Sequence, residues 1–478
     1  MITRRIMLIN SLSAAVLSLL PKPSIAAGGS NYVLSAGTSK AAFLEDETKL
    51  TDVWAYNDTV PGPVIRAKKG EEVAIEFVNG LEQATSVHWH GIRIENAMDG
   101  VSYLTQKPVE PGESFTYRFT VPDAGTYWYH PHNRTWEQLA RGLYGALIVE
   151  GDEPQGSVDR DLSIVADDWR LEESGALHEA SLGARHDWAH AGRLGNILTL
   201  NGKAYERLNV RPGEWVRLRF INAANARVFR FAVADQKNWL VAIDGQPVKP
   251  GLLPKEGITL APAQRADLML KVQGNPGEEI PIVETSINGT LVAGYLVCEL
   301  EVSDQQSEGN EPTPLIANGI PEPDLQNANS LELVMSGGAR RFLVAGNFKG
   351  EELDGRALAG SHKQFWSFNG NVGMSETPFF SAKRGETIRL VMVNETAWPH
   401  SIHLHGHHFR EISRSRRSDN APIPSTEYGP DAWRDTVLMQ ADEKVEIAFV
   451  ADNPGKWMLH CHMLEHQAAG MGTWYEVV

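Results

Sequence analysis

The chain is short of cysteine: its 478 residues include two, Cys298 and Cys461. One disulfide is the most that can form, and none if either sulfur has another task, so a scaffold stapled by several bridges is excluded. Positive charge is short as well. Lys and Arg total 44 against 60 Asp and Glu, a formal net charge of −16, which argues against a nucleic-acid partner. An acidic surface favours solubility and suits cationic or neutral substrates. Beyond the N-terminus no apolar run approaches the ~20 residues that span a bilayer. By contrast there are 43 Gly and 26 Pro, the punctuation of a turn-rich β protein.

The start reads as a targeting segment, Met1 to about Ala26. Thr3-Arg4-Arg5 precedes an apolar run, residues 6–20, and Ser24-Ile25-Ala26 supplies small residues for cleavage. The arginine pair points to twin-arginine export machinery, with an ordinary secretory signal as the alternative. The expectation is cleavage near Ala26 and a periplasmic mature protein with no membrane association after export.

A motif recurs three times. Residues 66–79 read RAKKGEEVAIEFVN, 209–222 NVRPGEWVRLRFIN and 381–394 SAKRGETIRLVMVN. Each has Gly-Glu, then alternating apolar residues, then Asn nine positions after the Gly. That is a turn followed by a half-buried strand. The length allows about three units at roughly 150 residues each. The expected division is 27–152, 153–310 and 311–478, each a β-sandwich with Greek-key connections.

The repeat also marks where chemistry lies. Nine residues beyond Asn79 stands His88-Trp89-His90-Gly91, and nine beyond Asn394 stands His403-Leu404-His405-Gly406. The same place after Asn222 holds Phe231, with Val233 two further on, so the middle unit reads as a spacer without ligands. A second echo sets Gly125…His130-Pro131-His132 against Gly455…His460-Cys461-His462. The outer units therefore each carry two His-x-His pairs, and if they face each other eight imidazoles meet.

Residues 460–471 read HCHMLEHQAAGM. A thiolate, imidazoles and a thioether form the ligand set of a blue-copper site. If 456–459 is a strand, Cys461 points to one face while His460 and His462 point to the other. One copper could then take the sulfur while copper on the far side takes the flanking histidines. With Cys461 so used, Cys298 has no partner and reads as a buried, inert thiol in a strand. In the alignment of the outer units Cys461, His466 and Met471 stand where the first has Pro131, Trp136 and Arg141, and His400 where it has Thr85. Only the last unit can build the thiolate site.

These motifs resemble the multicopper oxidases, the group that contains laccases and bacterial copper-efflux oxidases, over the whole mature chain. The resemblance implies an all-β protein of three Greek-key cupredoxin-like sandwiches holding four copper ions. His400, Cys461, His466 and axial Met471 would hold the type 1 copper, and His88 and His403 the type 2 copper. His90, His130 and His462 would hold one type 3 ion, and His132, His405 and His460 the other. The implied activity is one-electron oxidation of a reductant at the type 1 copper, across the exposed edge of His466. Electrons would pass through Cys461 to His460 and His462, and dioxygen would be reduced to water at the other three ions. Asp99, nine residues after His90, stands where related oxidases place an acid that delivers protons; the plain alternative is an Asp-Gly turn. A second acid expected after the last type 1 histidine is replaced by Gln467, which cannot titrate. Glu465 is the nearby substitute, unless its side chain is aimed elsewhere.

The remaining histidines are His178, His186, His190, His362, His407 and His408. His407 and His408 read as ordinary strand positions. His186 and His190 sit in the insertion 171–196 and could line a metal or substrate rim. Arg414-Ser415-Arg416-Arg417 reads as a solvated loop. For the reductant, the positions four and two before His400 are Thr396 and Trp398, neither a soft Cu(I) ligand. That favours phenols and aromatic amines, with periplasmic Cu(I) oxidation in copper resistance as the alternative. A copper-free division scaffold and a copper nitrite reductase are the further readings. The full ligand set argues against the first, and the four His-x-His pairs against the second.

Overall fold

The computed structural model describes residues 30–44, 46–153, 158–287, 290–305, 307, 309, 311–424 and 431–478. The targeting segment lies outside the described residues. Each copy of the repeat becomes one strand, Glu72–Asn79, Trp215–Asn222 and Thr387–Asn394. The glycines ahead of them, Gly70, Gly213 and Gly385, turn the chain at φ of 81°, 81° and 87°, where a Cβ would be strained. The alternation then buries one face. Val73, Ile75 and Phe77, then Val216, Leu218 and Phe220, then Ile388, Leu390 and Met392 are fully buried.

The three strands keep the same neighbours. Each pairs in parallel with an earlier strand, Ser30–Ala42, Arg160–Trp169 or Asn329–Gly337. Each pairs antiparallel with a later one, Ser114–Thr120, Arg265–Lys271 or Glu443–Val450. The closing asparagine ends each strand in the same way. Its Oδ1 accepts the backbone N–H two residues on, of Leu81, Ala224 or Thr396. Its Nδ2 donates to two carbonyls: Gln83 and Val109, Arg227 and Leu260, or Trp398 and Gln440. This side chain–backbone turn stops the ladder and ties two loops to the strand end.

The sheets pair as sandwiches of four and four, six and five, and nine and five strands. Each sandwich has its own apolar core. A fourth cluster, with Phe43, Trp128, Tyr144, Trp169, Ile221 and Leu464, fills the seam between them. The protein is thus all-β, built from three Greek-key cupredoxin-like sandwiches. Its longest described helix, Gly355–Ser361, has seven residues and is capped by Asp354. No described helix is long and apolar enough to cross a membrane.

Two expectations are corrected. Arg414 is not in a solvated loop: it lies in the strand Phe409–Arg416, buried, with its guanidinium on Glu411 and Glu443. A buried arginine persists because both carboxylates satisfy it. His407 and His408 are not strand residues but fill the turn between His400–Leu404 and Phe409–Arg416. Both are buried. His407 meets the Tyr475 hydroxyl at 2.7 Å, and His408 meets Gln246 at 3.2 Å.

Candidate metal centre

Four short strands carry the histidine pairs. His88–His90 pairs antiparallel with Gly125–His130, putting His88 opposite His130. His400–Leu404 pairs with Gly455–Cys461, putting His403 opposite His460 and Ile402 opposite Cys461. The first and last sandwiches meet along these strands. Arg93 bridges Asp123 and Asp452, Asn96 Nδ2 donates to the Lys456 carbonyl at 2.6 Å, and Asn453 Nδ2 donates to the Ile94 carbonyl at 2.9 Å. The eight expected imidazoles converge at this seam, none more than 5% exposed. The strand alternation turns Cys461 away from them, toward His400 and His466.

The ring nitrogens are sorted by what each ring bonds behind it. Nδ1–H donates to a main-chain carbonyl in His88 (Asp99, 2.7 Å), His130 (Pro131, 3.0 Å), His403 (Asp435, 2.9 Å) and His460 (Cys461, 3.0 Å). In His405 it donates to the Asp99 carboxylate at 3.0 Å. His90 is reversed, with Nε2 facing Asp435 at 3.4 Å and Nδ1 turned inward. Burial pushes His90, His130, His132, His405, His460 and His462 well below the ordinary histidine range, and His403 below it, so these rings are neutral. Each inward nitrogen with its proton placed behind it therefore presents a lone pair.

Those lone pairs gather in groups. His130 Nε2 lies 3.4 Å from His90 Nδ1 and 3.3 Å from His462 Nε2. His405 Nε2 lies 3.1 Å from His460 Nε2, with a His132 nitrogen within 4.8 Å of both. His88 Nε2 and His403 Nε2 are buried without a hydrogen-bond partner. Lone pairs at such distances repel unless a cation sits among them, and neutral imidazoles suit copper. Another close group, His90, His403 and Asp435, includes a carboxylate. Both Asp435 oxygens are already on Arg265, at 2.8 and 2.6 Å.

The sulfur site is built the same way. His400 Nδ1 and His466 Nδ1 lie 3.1 Å apart and 3.6 and 3.7 Å from Cys461 Sγ. Behind them His466 Nε2–H donates to the His190 carbonyl at 2.7 Å, and His400 Nε2 meets Thr396 Oγ1 at 2.8 Å. The Thr396 hydroxyl proton has Asn394 Oδ1 at 2.8 Å, so the hydroxyl accepts from His400. The repeat asparagine thereby fixes a ring of the site. Burial pushes the Cys461 thiol up to about 12 and His466 down to about 4. The thiol stays protonated unless a metal ion takes its place, and a coordinating thiol is deprotonated outright. Met471 is fully buried beside them, and its carbonyl accepts the Cys461 N–H at 3.1 Å. The donor chemistry at both places fits copper.

Three findings go beyond the sequence reading. His466 has no exposed edge: it is fully buried. The insertion 171–196 covers it through the His190 carbonyl, held there by Trp366 Nε1 on the Trp188 carbonyl and Ala339 N–H on Ala189. Asp435, between the short strands Trp433–Arg434 and Thr436–Met439, was missed. Its only signal is an acid beside an apolar strand. Burial opposes its ionisation, but Arg265 and the His403 and His90 N–H groups hold it well below the usual carboxylate range. Arg265, from the middle sandwich, was missed with it. That sandwich supplies none of the expected ligands, yet it reaches the seam with a buried guanidinium.

Asp99 follows the short helix Asn96–Met98, and Gly100 turns behind it at φ 79°. The turn and the acid beside the histidines are one feature. Its carboxylate lies 3.0 Å from His405 Nδ1 and 3.2 Å from His88 Nδ1. Glu465 is in the helix Leu464–Ala468, buried, with Oε1 on Asn225 Nδ2 at 2.7 Å and Oε2 without a hydrogen-bond partner. Burial pushes it up to about 7. Cys298 is buried and unpaired, its thiol pushed up to about 12 by burial, an inert core group as expected.

Comparison with known proteins agrees with this chemistry. Family models described as multicopper oxidase match residues 38–154, 160–284 and 348–478. The multicopper oxidase MmcO of Mycobacterium tuberculosis is 31% identical over 444 residues, covering 87% of this chain and 82% of that protein. The chain belongs to the multicopper oxidase family. Among solved structures, a multi-copper oxidase from Pseudomonas thermotolerans superposes with a TM-score of 0.79 at 31% identity, over 95% of this chain and 100% of that one. Copper resistance protein A of Escherichia coli is 24% identical, over 93% of this chain and 92% of that protein. As a member of the family the chain is a copper-binding oxidoreductase that takes electrons from a reducing substrate and uses dioxygen as acceptor.

Proposed function

We propose that four copper ions are bound, as the lone-pair groups suggest. His400, Cys461, His466 and Met471 would hold the type 1 ion, and His88 and His403 the type 2 ion. His90, His130 and His462, and His132, His405 and His460, would hold the type 3 pair. The observation that supports this most is the sorting of protons, which leaves lone pairs facing one another across the seam. When bound, copper would supply the one-electron chemistry and the four-electron reduction of dioxygen to water. The protein's own part is placement. Cys461 is peptide-bonded to both His460 and His462, and His460 Nδ1 also donates to the Cys461 carbonyl, which makes the shortest connection between the two donor sets. Asp99 accepts from His405 Nδ1 and would pass protons to the histidine cluster.

The reductant we infer is a phenol or aromatic amine. Over His466 lie rings: Trp398 packs edge-on against His190 at 5.3 Å, and His190 stacks on His186 at 4.0 Å. Thr396 is engaged with His400. An aromatic reductant would stack on this rim, one hydrogen bond from His466. A second reading, oxidation of Cu(I) in copper resistance, is favoured by the likeness to copper resistance protein A. The mature chain would work in the periplasm after export by the twin-arginine machinery, organised as units 27–152, 153–310 and 311–478. Oxygen uptake by the copper-loaded protein, with 2,6-dimethoxyphenol and separately with Cu(I), tests the reading. Faster uptake with the phenol supports it, and uptake with Cu(I) alone overturns it in favour of the second.

A further inference from the structure

The eight clustered histidines are buried, so copper has to cross protein to reach them. His132 is the least buried of them, at 5% exposure against 0–2% for the rest. A cavity of about 320 Å³ opens onto His132, and Met374 and Met458 line it. Met458 is 4% exposed and Met374 38%, so one thioether is deep and the other at the mouth. Met458 precedes His460 by two positions in the strand Gly455–Cys461, so both side chains leave the same face.

Gly472 joins them. It lies opposite His460 in the sheet. A Cβ built on it would come within 3.3 Å of the Met458 methyl, 3.8 Å of His460 Cβ and 3.9 Å of Met374 Sδ. Its φ is outside the left-handed range, so the backbone does not demand glycine there. The absent side chain lets the Met458 methyl, the Met374 sulfur and the His460 Cβ close on one point of the sheet. Thioethers are soft, neutral ligands that select Cu(I) among the available metal ions.

We propose that Met374 and Met458 form a Cu(I) relay that loads the histidine cluster through this cavity. The ion moves without redox change: thioether lone pairs on Cu(I) are exchanged for imidazole lone pairs, and no co-reactant is consumed. The proposal rests on the ligand assignment above and is independent of which reductant the enzyme uses.

The test is loading kinetics of the copper-stripped full chain under anaerobic conditions. Cu(I) is supplied as its bicinchoninate complex, and loss of the complex colour reports uptake. Met374→Leu, Met458→Leu and the double variant are compared with the parent; Met374, at the mouth, can be exchanged without touching the core. In the double variant, uptake into the cluster should slow about tenfold, the lower end of what losing an outer metal partner costs. Loading from Cu(II) sulfate and the final copper content should match the parent. Equal Cu(I) loading rates in parent and double variant overturn the relay while leaving the ligand assignment standing. A parent protein that never reaches four copper equivalents overturns the assignment, and the relay with it.

Discussion

Replacing Arg265 with leucine probes how the middle sandwich supports the seam. Arg265 is fully buried, with two bonds to Asp435, a carbonyl bond to Thr126 at 3.2 Å and Asp244 at 3.6 Å. The variant leaves Asp435 ionised and buried with no cation on it, while Asp244 keeps Arg434 at 3.4 Å. Breaking a buried pair by removing one partner costs about 3–5 kcal/mol. The cost should depend on pH. In the parent, Asp435 is held well below the usual carboxylate range, so its charge stabilises the fold above about pH 4 and that contribution drains as pH falls through the depressed value. In the variant only the His403 and His90 N–H groups still oppose burial, which should then raise Asp435 above its unfolded value. The penalty is then full at neutral pH and fades as pH falls toward about 4. Urea unfolding of copper-free protein, followed by tryptophan fluorescence near pH 8, 6 and 4.5, reads this directly. A loss below about 1 kcal/mol, or one that does not shrink toward low pH, would mean that Arg265 does not neutralise a buried Asp435 charge, since surface pairs contribute no more than that.

Three further outcomes are expected. Cys461→Ser should abolish the strong visible absorption and the phenol-driven oxygen uptake while circular dichroism shows the same fold; retained turnover would exclude the sulfur from the electron path. Asp99→Asn should slow oxygen reduction while the blue colour still bleaches with reductant at the parent rate, and unchanged turnover would remove Asp99 from proton delivery. Asn222→Ala, remote from copper, deletes three hydrogen bonds of a fully buried side chain in the middle sandwich; at about 1 kcal/mol each, a destabilisation of about 2–4 kcal/mol should appear in thermal unfolding, and a change under about 0.5 kcal/mol would mean the repeat asparagine is not the strand-end clamp.

The periodic features were legible in the sequence because they repeat at fixed spacing. Gly70, Gly213 and Gly385 with their asparagines announced the strands, and His88, His90, His403 and His405 followed at a constant offset. The grouping of Cys461 with His466 was legible because the two sit within one short stretch. What escaped was contact between residues far apart in the chain. Nothing near Arg265 announces Asp435, 170 residues on. Nothing in the insertion around His190 shows that its main-chain carbonyl caps His466. Arg414 looked like a loop residue because Glu443, its second carboxylate beside the nearby Glu411, meets it only when two strands pair. Thr396 was weighed as a metal ligand and set aside, although its hydroxyl orients His400 instead.

The lone-pair groups predict one copper cluster shared by the first and last sandwiches. The direct measurement is a crystal of the copper-loaded protein recorded at the copper absorption edge, where anomalous scattering locates each ion. Four peaks are predicted, one beside Cys461 and three among the histidines of residues 88–132 and 403–462. A single peak at Cys461, with density absent between those two sets of histidines, would mean that the two sandwiches share no cluster.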